Sequence, residues 1–381
     1  MSDRRWDIAR KAKRIVVKVG SSVLTSDGQL RSRVFGELAR QIHEAGARRQ
    51  FVIVSSGAVA MGSRMLGWTH PGRSIPEKQA AAAVGQSSLI ETYQKRFARH
   101  GRQVAQVLVT RSGLQERERF LNARNTLSTL LDLGVVPIVN ENDTVATDEI
   151  RFGDNDNLSA TVVNLIGADL LVLLSDVDGL YESRPEAGKP LPPRFDVIER
   201  IDAGVKRAAS GAGSAFGRGG MTTKLEAAET AAHSGAATVV CNGRRRDSLA
   251  KLISGEPVGT LFLPGDRMAS RKHWLAFTTH PRGQLVLDAG AVRAVRENGK
   301  SLLPAGIVAV QGRFGIGDPV ACIDDAGVEI ARGLAAYASD EVERIRGLET
   351  RKVAKVLGYS NGTAVVHRDD LVLLEPPEPA R

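Results

Sequence analysis

Short apolar runs alternate with amphipathic stretches along residues 14–241 of this chain. Runs rich in Val, Ile and Leu predict strands at Arg14–Gly20, Gln50–Ser55, Val104–Val109, Val135–Val139, Leu170–Ser175 and Ala237–Cys241. Between them, apolar residues at helical spacing predict helices at Ser32–Ala45, Gln79–Arg99, Ala123–Leu133, Asn157–Ile166 and Met221–Ser234. Nearly continuous apolar strands joined by helices are typical of a parallel sheet that is covered on both faces. The pattern therefore predicts an α/β protein, a three-layer αβα sandwich around a mostly parallel sheet.

The pattern changes after about Gly265, where a mixed polar segment begins. Beyond it, Gly and Asp turns such as Asp288–Gly290 and Glu297–Gly299 separate short predicted strands at Gln284–Leu287, Gly306–Gln311, Pro319–Ile323 and Glu329–Leu334. This spacing indicates a small β-rich domain. We predict a larger domain over residues 1–265, a linker over 266–282, the β-rich domain over 283–361 and a frayed tail over 362–381.

The net charge of +9 is concentrated in the larger domain. Residues 1–281 hold 39 basic and 29 acidic side chains, whereas residues 282–361 hold 11 and 10. A positive field favours anionic ligands such as nucleotide phosphates, although non-specific attraction to nucleic acid has the same sign. The sequence has no apolar run of about 18 residues, which a membrane span requires, and its first 14 residues lack the apolar core of a secretory signal. Because the chain also has only two cysteines, we expect a cytoplasmic protein without a membrane partner.

Acidic and carboxamide side chains are concentrated in Asn140–Thr144 and Gly153–Asn157, after a predicted strand and before a predicted helix. Carboxylates this close repel one another unless a cation lies between them. That cation could be a metal ion, a lysine or the ammonium group of a substrate. The alternative is an ordinary surface cluster, because Asn, Asp and Gly are common turn formers.

Two lysines accompany glycine- and serine-rich loops at the ends of predicted elements. Lys18 precedes Gly20-Ser-Ser22, and Lys224 follows a glycine-rich run that ends in Gly219-Gly220. Backbone N–H groups at such a loop or helix start, together with a lysine, can bind phosphate. The alternatives are a lysine at the edge of a sheet whose charged end reaches solvent and a flexible linker before an ordinary helix. The second loop is not a Walker A motif, because Thr223 precedes Lys224.

Two further loops follow predicted strands. Ser56 in Ser55-Ser-Gly-Ala58 is either the N-cap of a helix or a hydrogen-bond donor to a ligand. Ser175 and Asp176 either begin a hairpin turn or face the base and ribose of a nucleotide. Right-handed crossovers bring the carboxyl ends of parallel strands to one edge of the sheet. Lysines, Gly/Ser loops and an Asp/Asn cluster at that edge meet the needs of phosphoryl transfer, which are positioning and charge neutralisation.

Several segments resemble the glutamate 5-kinase family, whose members have the amino-acid-kinase fold. They are Val16–Thr25, Val52–Gly62, Ala82–Ile90, Arg117–Thr126, Val136–Thr147, Phe152–Ala160 and Gly217–Ala228. Residues from about Gly283 to Asn361 resemble a PUA domain, and Ser301–Ile307 is typical of the one fused to this kinase. The resemblance implies ATP-dependent phosphorylation of the γ-carboxylate of L-glutamate to γ-glutamyl phosphate, the first step of proline biosynthesis.

The resemblance also implies roles for individual residues. Lys18 and Lys224 would contact the ATP phosphates as catalytic residues, and Asp156 would hold both lysines in place. Glutamate would be bound by Ser56, Asp143 and Asn155. The ATP site would be lined by Lys18, Ser175, Asp176, Arg218, Gly219, Gly220, Met221, Thr222, Thr223 and Lys224. Arg218 departs from the family, which usually has Thr there. The implied cofactors are ATP and Mg²⁺.

Partners follow from the same resemblance. They are proline as a feedback inhibitor, glutamate-5-semialdehyde dehydrogenase as the next enzyme, and further copies of the chain in a homo-oligomer. One alternative is an RNA-binding protein that acts through the PUA domain. The nearly balanced charge of residues 282–361 argues against nucleic acid as a partner, because phosphate binding needs a basic face. The other alternative is an enzyme of the same fold that acts on another small carboxylate.

Overall fold

A computed structural model of the chain describes residues 4–26, 29–145, 155–183, 185–186, 188–210, 220–265, 272 and 274–374. The chain forms two compact units, Met1–Met268 and Ala269–Arg381. In the described ranges, none of the helices combines the length and the apolar character that crossing a membrane requires.

An eight-stranded sheet forms the centre of the first unit, with the order β5-β6-β4-β1-β7-β9-β10-β8. The strands of this unit are β1 (Arg14–Val19), β2 (Thr25–Ser26), β3 (Gln29–Leu30), β4 (Gln50–Ser55), β5 (Val104–Val109), β6 (Val136–Glu141), β7 (Leu170–Ser175), β8 (Val197–Ile198), β9 (Ala237–Asn242) and β10 (Thr260–Phe262). From β5 to β9 the sheet is parallel, and β10 runs antiparallel to β9. Strands β2 and β3 pair separately as a short antiparallel hairpin. The central strands β1, β4 and β7 are buried almost throughout, as strands covered on both faces must be.

Helices cover both faces of this sheet. They are α1 (Asp7–Lys11), α2 (Ser21–Leu24), α3 (Ser32–Glu44), α4 (Ala58–Met65), α5 (Ile75–Ala98), α6 (Arg111–Gln115), α7 (Arg117–Asp132), α8 (Asn155–Ile166), α9 (Ala203–Ser210), α10 (Met221–His233) and α11 (Ser248–Ser254). On one face α3 packs against α5 and α11, and on the other α8 packs against α7 and α10. The predicted αβα sandwich with a mostly parallel sheet is therefore confirmed.

Helices α4 and α5 are in direct backbone contact. A Cβ atom on Gly62 would lie 1.6 Å from the carbonyl oxygen of Ala81, and one on Gly85 would lie 1.9 Å from that of Ala58. Only glycine fits at either position, because any side chain would overlap a carbonyl group. This contact fixes α4, and with it the loop that joins β4 to α4.

The second unit contains a five-stranded sheet with the order β12-β11-β13-β14-β15. Its strands are β11 (Gly283–Leu287), β12 (Ile307–Gly312), β13 (Pro319–Ile323), β14 (Glu329–Leu334) and β15 (Leu371–Leu373), and its α-helices are α12 (Ala289–Arg296), α13 (Ser339–Ile345) and α14 (Val353–Leu357). The predicted β-rich domain is confirmed. Its core includes Tyr337, Ile345 and Val365.

Two local predictions for this unit differ from the structure. Asp288–Gly290 is not a free turn, because Asp288 Oδ1 accepts a hydrogen bond of 2.7 Å from the N–H of Ala291 and caps α12. Strand β15 pairs with β14 although it lies in the predicted tail, so the sheet extends past residue 361. Both errors arise because the local sequence signal is short. The start of α12 is marked by one capping residue, and β15 consists of three apolar residues after a long irregular segment.

Candidate active site

The carboxyl edge of the parallel sheet holds a buried cluster of two lysines and one aspartate. Lys18 lies near the end of β1, Asp156 in the first turn of α8, and Lys224 in the first turn of α10. Lys18 Nζ is 2.7 Å from Asp156 Oδ1, and Lys224 Nζ is 3.1 Å from Asp156 Oδ2. The three side chains are only 10%, 1% and 7% exposed, in the order Lys18, Asp156, Lys224. We call this group the Lys–Asp–Lys cluster.

Strand geometry explains why Lys18 reaches the cluster. Val17 and Val19 belong to the core that includes Phe35 and Leu38 of α3. Successive side chains of a strand point to opposite faces, so Lys18 lies on the other face, which α8 covers. One lysine in an otherwise apolar strand is thereby placed beside the start of a helix.

Burial and charge act in opposite directions on Asp156. Burial alone would raise the pKa of its carboxyl group, but the ammonium groups of Lys18 and Lys224 together hold that pKa well below its usual range. Thr223 Oγ1 also donates a hydrogen bond of 2.8 Å to Asp156 Oδ2. Burial lowers the pKa of Lys224, and Asp156 opposes that change. With both lysines protonated, the cluster carries one net positive charge in a poorly solvated place, which favours an anionic ligand.

Helix N-termini add to this positive field. The N-cap of α10 is Gly220, which has an extended backbone and provides no side-chain cap. The first turn of α10, which the structure describes in full, contains no acidic residue. Its N–H groups are therefore suited to a phosphate oxygen. Met221 and Thr222 belong to the same turn, whereas Arg218 and Gly219 lie outside the described residues.

A second polar group lies next to the cluster at the start of α8. The side-chain amide of Asn155 contacts Ser56 Oγ at 2.9 Å, the carbonyl oxygen of Ser55 at 3.1 Å and Asn140 Oδ1 at 3.2 Å. Asn140 in turn donates a hydrogen bond of 2.8 Å to Gln86 Oε1. Ser56 is not the N-cap of α4, because Gly57 occupies that position with φ of 109°. The structure thus brings Ser56 and Asn155 together and leaves the Ser56 hydroxyl available for polar contact.

The remaining predicted residues lie at the end of β7 or in loops that follow strands of the first unit. Asp143 is partly buried in the turn after β6. Ser175 ends β7, and its hydroxyl lies 3.2 Å from Asp176 Oδ1. Asp176 Oδ2 lies 3.8 Å from Arg244, which follows β9. Ser175 and Asp176 do not begin a hairpin, because β7 pairs with β1 and β9 and not with β8, the next strand in the chain. Among the described residues, no three His, Cys, Asp or Glu side chains are arranged to hold a metal ion.

The sequence analysis placed Asn140 in the Asp/Asn cluster without a specific contact, and it assigned no role to Gln86 or Arg244. Asn140 is 2% exposed near the end of β6 and holds the Asn155 amide through its side-chain oxygen. A carboxamide in an otherwise apolar strand is a detectable signal, because a buried polar group needs a partner. Gln86 and Arg244 gave no such local signal.

A parallel α/β sheet with a buried cationic cluster and an uncapped helix start at its carboxyl edge defines a protein that binds phosphate-bearing ligands. The chain belongs to the amino acid kinase family, whose pattern matches residues 13–242. Residues 283–357 match the PUA domain. The family resemblance seen in the sequence is therefore confirmed.

Individual relatives match nearly the whole chain. It is 50% identical over 371 residues to the glutamate 5-kinase of Syntrophotalea carbinolica, an alignment that covers 97% of this chain and 99% of the relative. It is 50% identical over 373 residues to the glutamate 5-kinase of Geobacter sulfurreducens, which covers 97% and 100%. The glutamate 5-kinase of Burkholderia mallei (strain SAVP1) is 51% identical over 373 residues and covers 96% and 99%.

Proposed function

We propose that this chain transfers the γ-phosphoryl group of ATP to the γ-carboxylate of L-glutamate, which yields γ-glutamyl phosphate and ADP. This is the first step of proline biosynthesis. The observation that carries the proposal is the Lys–Asp–Lys cluster, in which two ammonium groups converge on one buried carboxylate. The relatives called glutamate 5-kinase, which align with nearly the whole chain, support the choice of substrate.

The chemistry requires no general base. The side-chain carboxyl group of glutamate has a reference pKa near 4.3, so it is already an ionised nucleophile at neutral pH. One of its oxygens forms a bond to the γ-phosphorus, while the bond from that phosphorus to the β,γ-bridging oxygen breaks. The bonding electrons leave with ADP. No proton has to be removed from the nucleophile, so the reaction needs no catalytic histidine.

The main obstacle is electrostatic, because an anion must approach a triphosphate. Lys18 and Lys224 offset the negative charge of the phosphoryl oxygens, and Asp156 keeps the two ammonium groups oriented. Because the cluster is buried and fixed before substrate binds, little reorganisation is needed in the transition state. The N–H groups at the start of α10 contribute in the same direction.

Glutamate binding falls to the neighbouring polar group. Ser56 and Asn155 offer donors and acceptors to the carboxylates of the substrate. Asp143 supplies a carboxylate for the α-ammonium group. Asn140 and Gln86 hold the Asn155 amide in place through the hydrogen bonds described above.

For the nucleotide, the proposed site consists of Lys18, Ser175, Asp176 and the segment from Arg218 to Lys224. Mg²⁺, bound together with ATP, would supply further charge neutralisation. Such an ion usually keeps several waters and takes few protein ligands. A small number of protein ligands fits this site, because both oxygens of Asp156 already contact lysines.

The partners also belong to the proposal. Proline, like glutamate, carries an α-carboxylate and a positively charged nitrogen on Cα, although that nitrogen is a secondary ammonium in its ring, so we expect it to compete for the glutamate site. Because the acyl phosphate is labile, direct transfer to glutamate-5-semialdehyde dehydrogenase is expected. We also propose that the chain forms a homo-oligomer and is located in the cytoplasm. Residues 1–265 make up its catalytic domain in this proposal.

The test is a hydroxylamine trapping assay with ATP, Mg²⁺ and a panel of small carboxylates. L-Glutamate should give a hydroxamate in amounts matched by ADP formation. Aspartate, carbamate and N-acetylglutamate should give at least tenfold less. Product from one of these and none from glutamate would refute the substrate assignment, and no product from any of them would refute the reaction.

A further inference from the structure

A cavity of about 540 Å³ lies between the start of α3 and the loop that joins β9 to α11. Its lining includes five arginines, Arg31, Arg33, Arg244, Arg245 and Arg246. We call this cavity the arginine cleft. Neither the reaction nor the glutamate site described above uses it.

The arginine cleft lies on the opposite face of the sheet from the Lys–Asp–Lys cluster. Leu174 lines the cleft and belongs to the same core as Val19. Because side chains alternate along a strand, Lys18 points to the face away from Val19. The cleft is therefore separate from the cluster, although both lie near the carboxyl edge of the sheet.

The charge of the cleft is only partly balanced, since Arg244, Arg245 and Arg246 lie within salt-bridge distance of Asp176, Asp178 and Asp247, none of which lines the cleft. Glu37 is the one acidic side chain among the lining residues, and it accepts a hydrogen bond of 2.8 Å from Arg40 outside the cleft. Arg31 Nε is buried and has no hydrogen-bond partner within the described part of the chain. Arg33 is exposed. A buried donor without a partner is unfavourable, so a ligand that accepts a hydrogen bond from it would stabilise the bound state.

Helix α3 adds to the positive field. Ser32 and Arg33 in its first turn line the cleft, and no side chain caps the helix. No acidic residue occurs in this first turn, which is described throughout. The positive end of a helix of 13 residues therefore faces the same space as the arginines.

Part of the wall is apolar. Val34, Leu38, Leu174 and Leu249 line the cleft beside the arginines. A cavity of this size with an apolar wall and several guanidinium groups fits a small organic molecule better than a bare ion. Guanidinium groups favour phosphate and carboxylate, which they can bind through two parallel hydrogen bonds.

We propose that the arginine cleft binds a small organic polyanion, a molecule with an apolar or ring body and at least two phosphate or carboxylate groups. Arg31 and Arg33 bind it from the start of α3, and Arg244, Arg245 and Arg246 bind it from the opposite loop. The ligand thus joins two segments that are far apart in the sequence.

Two contacts connect the cleft to the proposed nucleotide site. Arg244 Nη2 donates a hydrogen bond of 2.9 Å to the carbonyl oxygen of Ser22, in the short helix α2 that follows β1 and Lys18. The same guanidinium group lies 3.8 Å from Asp176. An anion in the cleft competes with Asp176 for Arg244. If the proposed function holds, occupancy therefore changes the KM for ATP more than the KM for glutamate.

The test uses naphthalene-1,5-disulfonate, which has an aromatic body and two anionic groups, as the probe in titration calorimetry. The full-length protein is saturated with ADP, Mg²⁺ and glutamate, so that the catalytic site is occupied. The test variant is Arg33→Ser with Arg246→Ser, because both side chains are exposed and lie outside the proposed catalytic machinery. The matched control is Arg99→Ser with Arg200→Ser, which removes two exposed arginines that do not line the cleft.

We expect one probe molecule to bind per chain in the wild type and the control, and affinity to fall at least about tenfold in the test variant. Equal affinity in all three proteins, or no saturable binding to the wild type, would overturn the proposal.

ATP kinetics give a second measurement. The probe should shift the KM for ATP in the wild type and not in the test variant, whereas an equal shift in both would place the probe at the nucleotide site and also overturn it. The calorimetric result stands whether or not the chain phosphorylates glutamate.

Discussion

The two faces of the same sheet carry positive charge in different ways. In the Lys–Asp–Lys cluster, two lysines share one aspartate, and all three side chains are at most 10% exposed. In the arginine cleft, Arg33, Arg244 and Arg246 are exposed, and the carboxylates nearest Arg244 and Arg246 lie at the longer distances of 3.8 Å (Asp176) and 3.5 Å (Asp247). The difference shows what burial requires: a charge removed from water needs a fixed partner, whereas an exposed charge does not.

This difference in burial predicts different roles, catalysis for the two lysines and ligand binding for the arginines. The buried lysines are held in place before the substrate arrives, so they can stabilise charge that develops in the transition state. Exposed side chains such as Arg33 lose conformational freedom when a ligand orders them, which weakens each contact. We therefore expect changes in the cluster to alter kcat and stability, and changes in the cleft to alter binding alone.

The largest effect is expected from Lys224→Ala. Removing a preorganised cation from the reacting phosphoryl group should lower kcat by about 10²–10³-fold. Lys206→Ala is the control, because Lys206 is an exposed lysine that pairs with Glu229 at 3.2 Å. Initial rates of hydroxamate formation at saturating ATP and glutamate measure the effect. An unchanged kcat in Lys224→Ala would exclude Lys224 from catalysis and remove the contrast between the two faces.

Asp156→Asn tests the role of the shared carboxylate in stability. The substitution leaves two buried lysines without a counter-ion, so the free energy of unfolding at pH 7 should fall by about 3 kcal/mol. Asp132→Asn changes a carboxylate that is 70% exposed and should have little effect. Urea unfolding followed by circular dichroism measures both variants.

The pH dependence of that difference has a definite sign. The folded-state pKa of Asp156 lies below its unfolded value, so the unfolded chain takes up this proton first as the pH falls. The stability that Asp156 provides is thus complete above about pH 5 and declines below about pH 4. The wild type and Asp156→Asn should converge in acid. A difference that widens as the pH falls would contradict the low pKa of the Asp156 carboxyl group.

A smaller effect is expected from Asn155→Ala. Loss of hydrogen bonds to a charged substrate should raise the KM for glutamate about tenfold to a hundredfold, with the KM for ATP nearly unchanged. Asn125→Ala, at an exposed position of α7, is the control. A rise in the KM for ATP alone would move Asn155 from the glutamate site to the nucleotide site.

The smallest effect is expected for the binding of RNA by the second unit. The second unit has almost as many acidic as basic side chains between residues 282 and 361, 10 against 11, so tRNA should bind weakly at physiological salt. Filter binding across a range of salt concentrations measures this. Comparison with Arg33→Ser and Arg246→Ser separates binding by the cleft from binding by the second unit. Tight binding with a steep salt dependence that survives those substitutions would establish RNA as a partner of the second unit.

The sequence predicted the central strands well, because they are apolar throughout and end at polar loops. The predicted β6, at Val135–Val139, lies within two residues of the observed bounds. Strands β8 and β10 were missed, since each has only two or three residues. Helix α5 begins at Ile75, before the predicted Gln79, because Ser74 and Glu77 form a capping box upstream of the apolar pattern.

The candidate site was predictable only in part. Lys18 lies near the end of a predicted strand and Lys224 near the start of a predicted helix. Parallel topology brings these ends to one edge of the sheet. The carboxamide chain from Asn155 to Gln86 depends on contacts between distant segments, for which the sequence carries no periodic signal. The arginine cleft was missed for the same reason. Arg31 and Arg244 belong to segments that become neighbours only after the sheet has formed.

The central claim is that Lys18 and Lys224 act on the same phosphoryl group. A double-mutant cycle of Lys18→Ala and Lys224→Ala, followed by single-turnover phosphoryl transfer, tests it most directly. Residues that act as a unit are not additive, so the double variant should lose at least about tenfold less activity than the product of the two single losses. A double loss equal to that product would mean that the two lysines act independently, which would contradict the account.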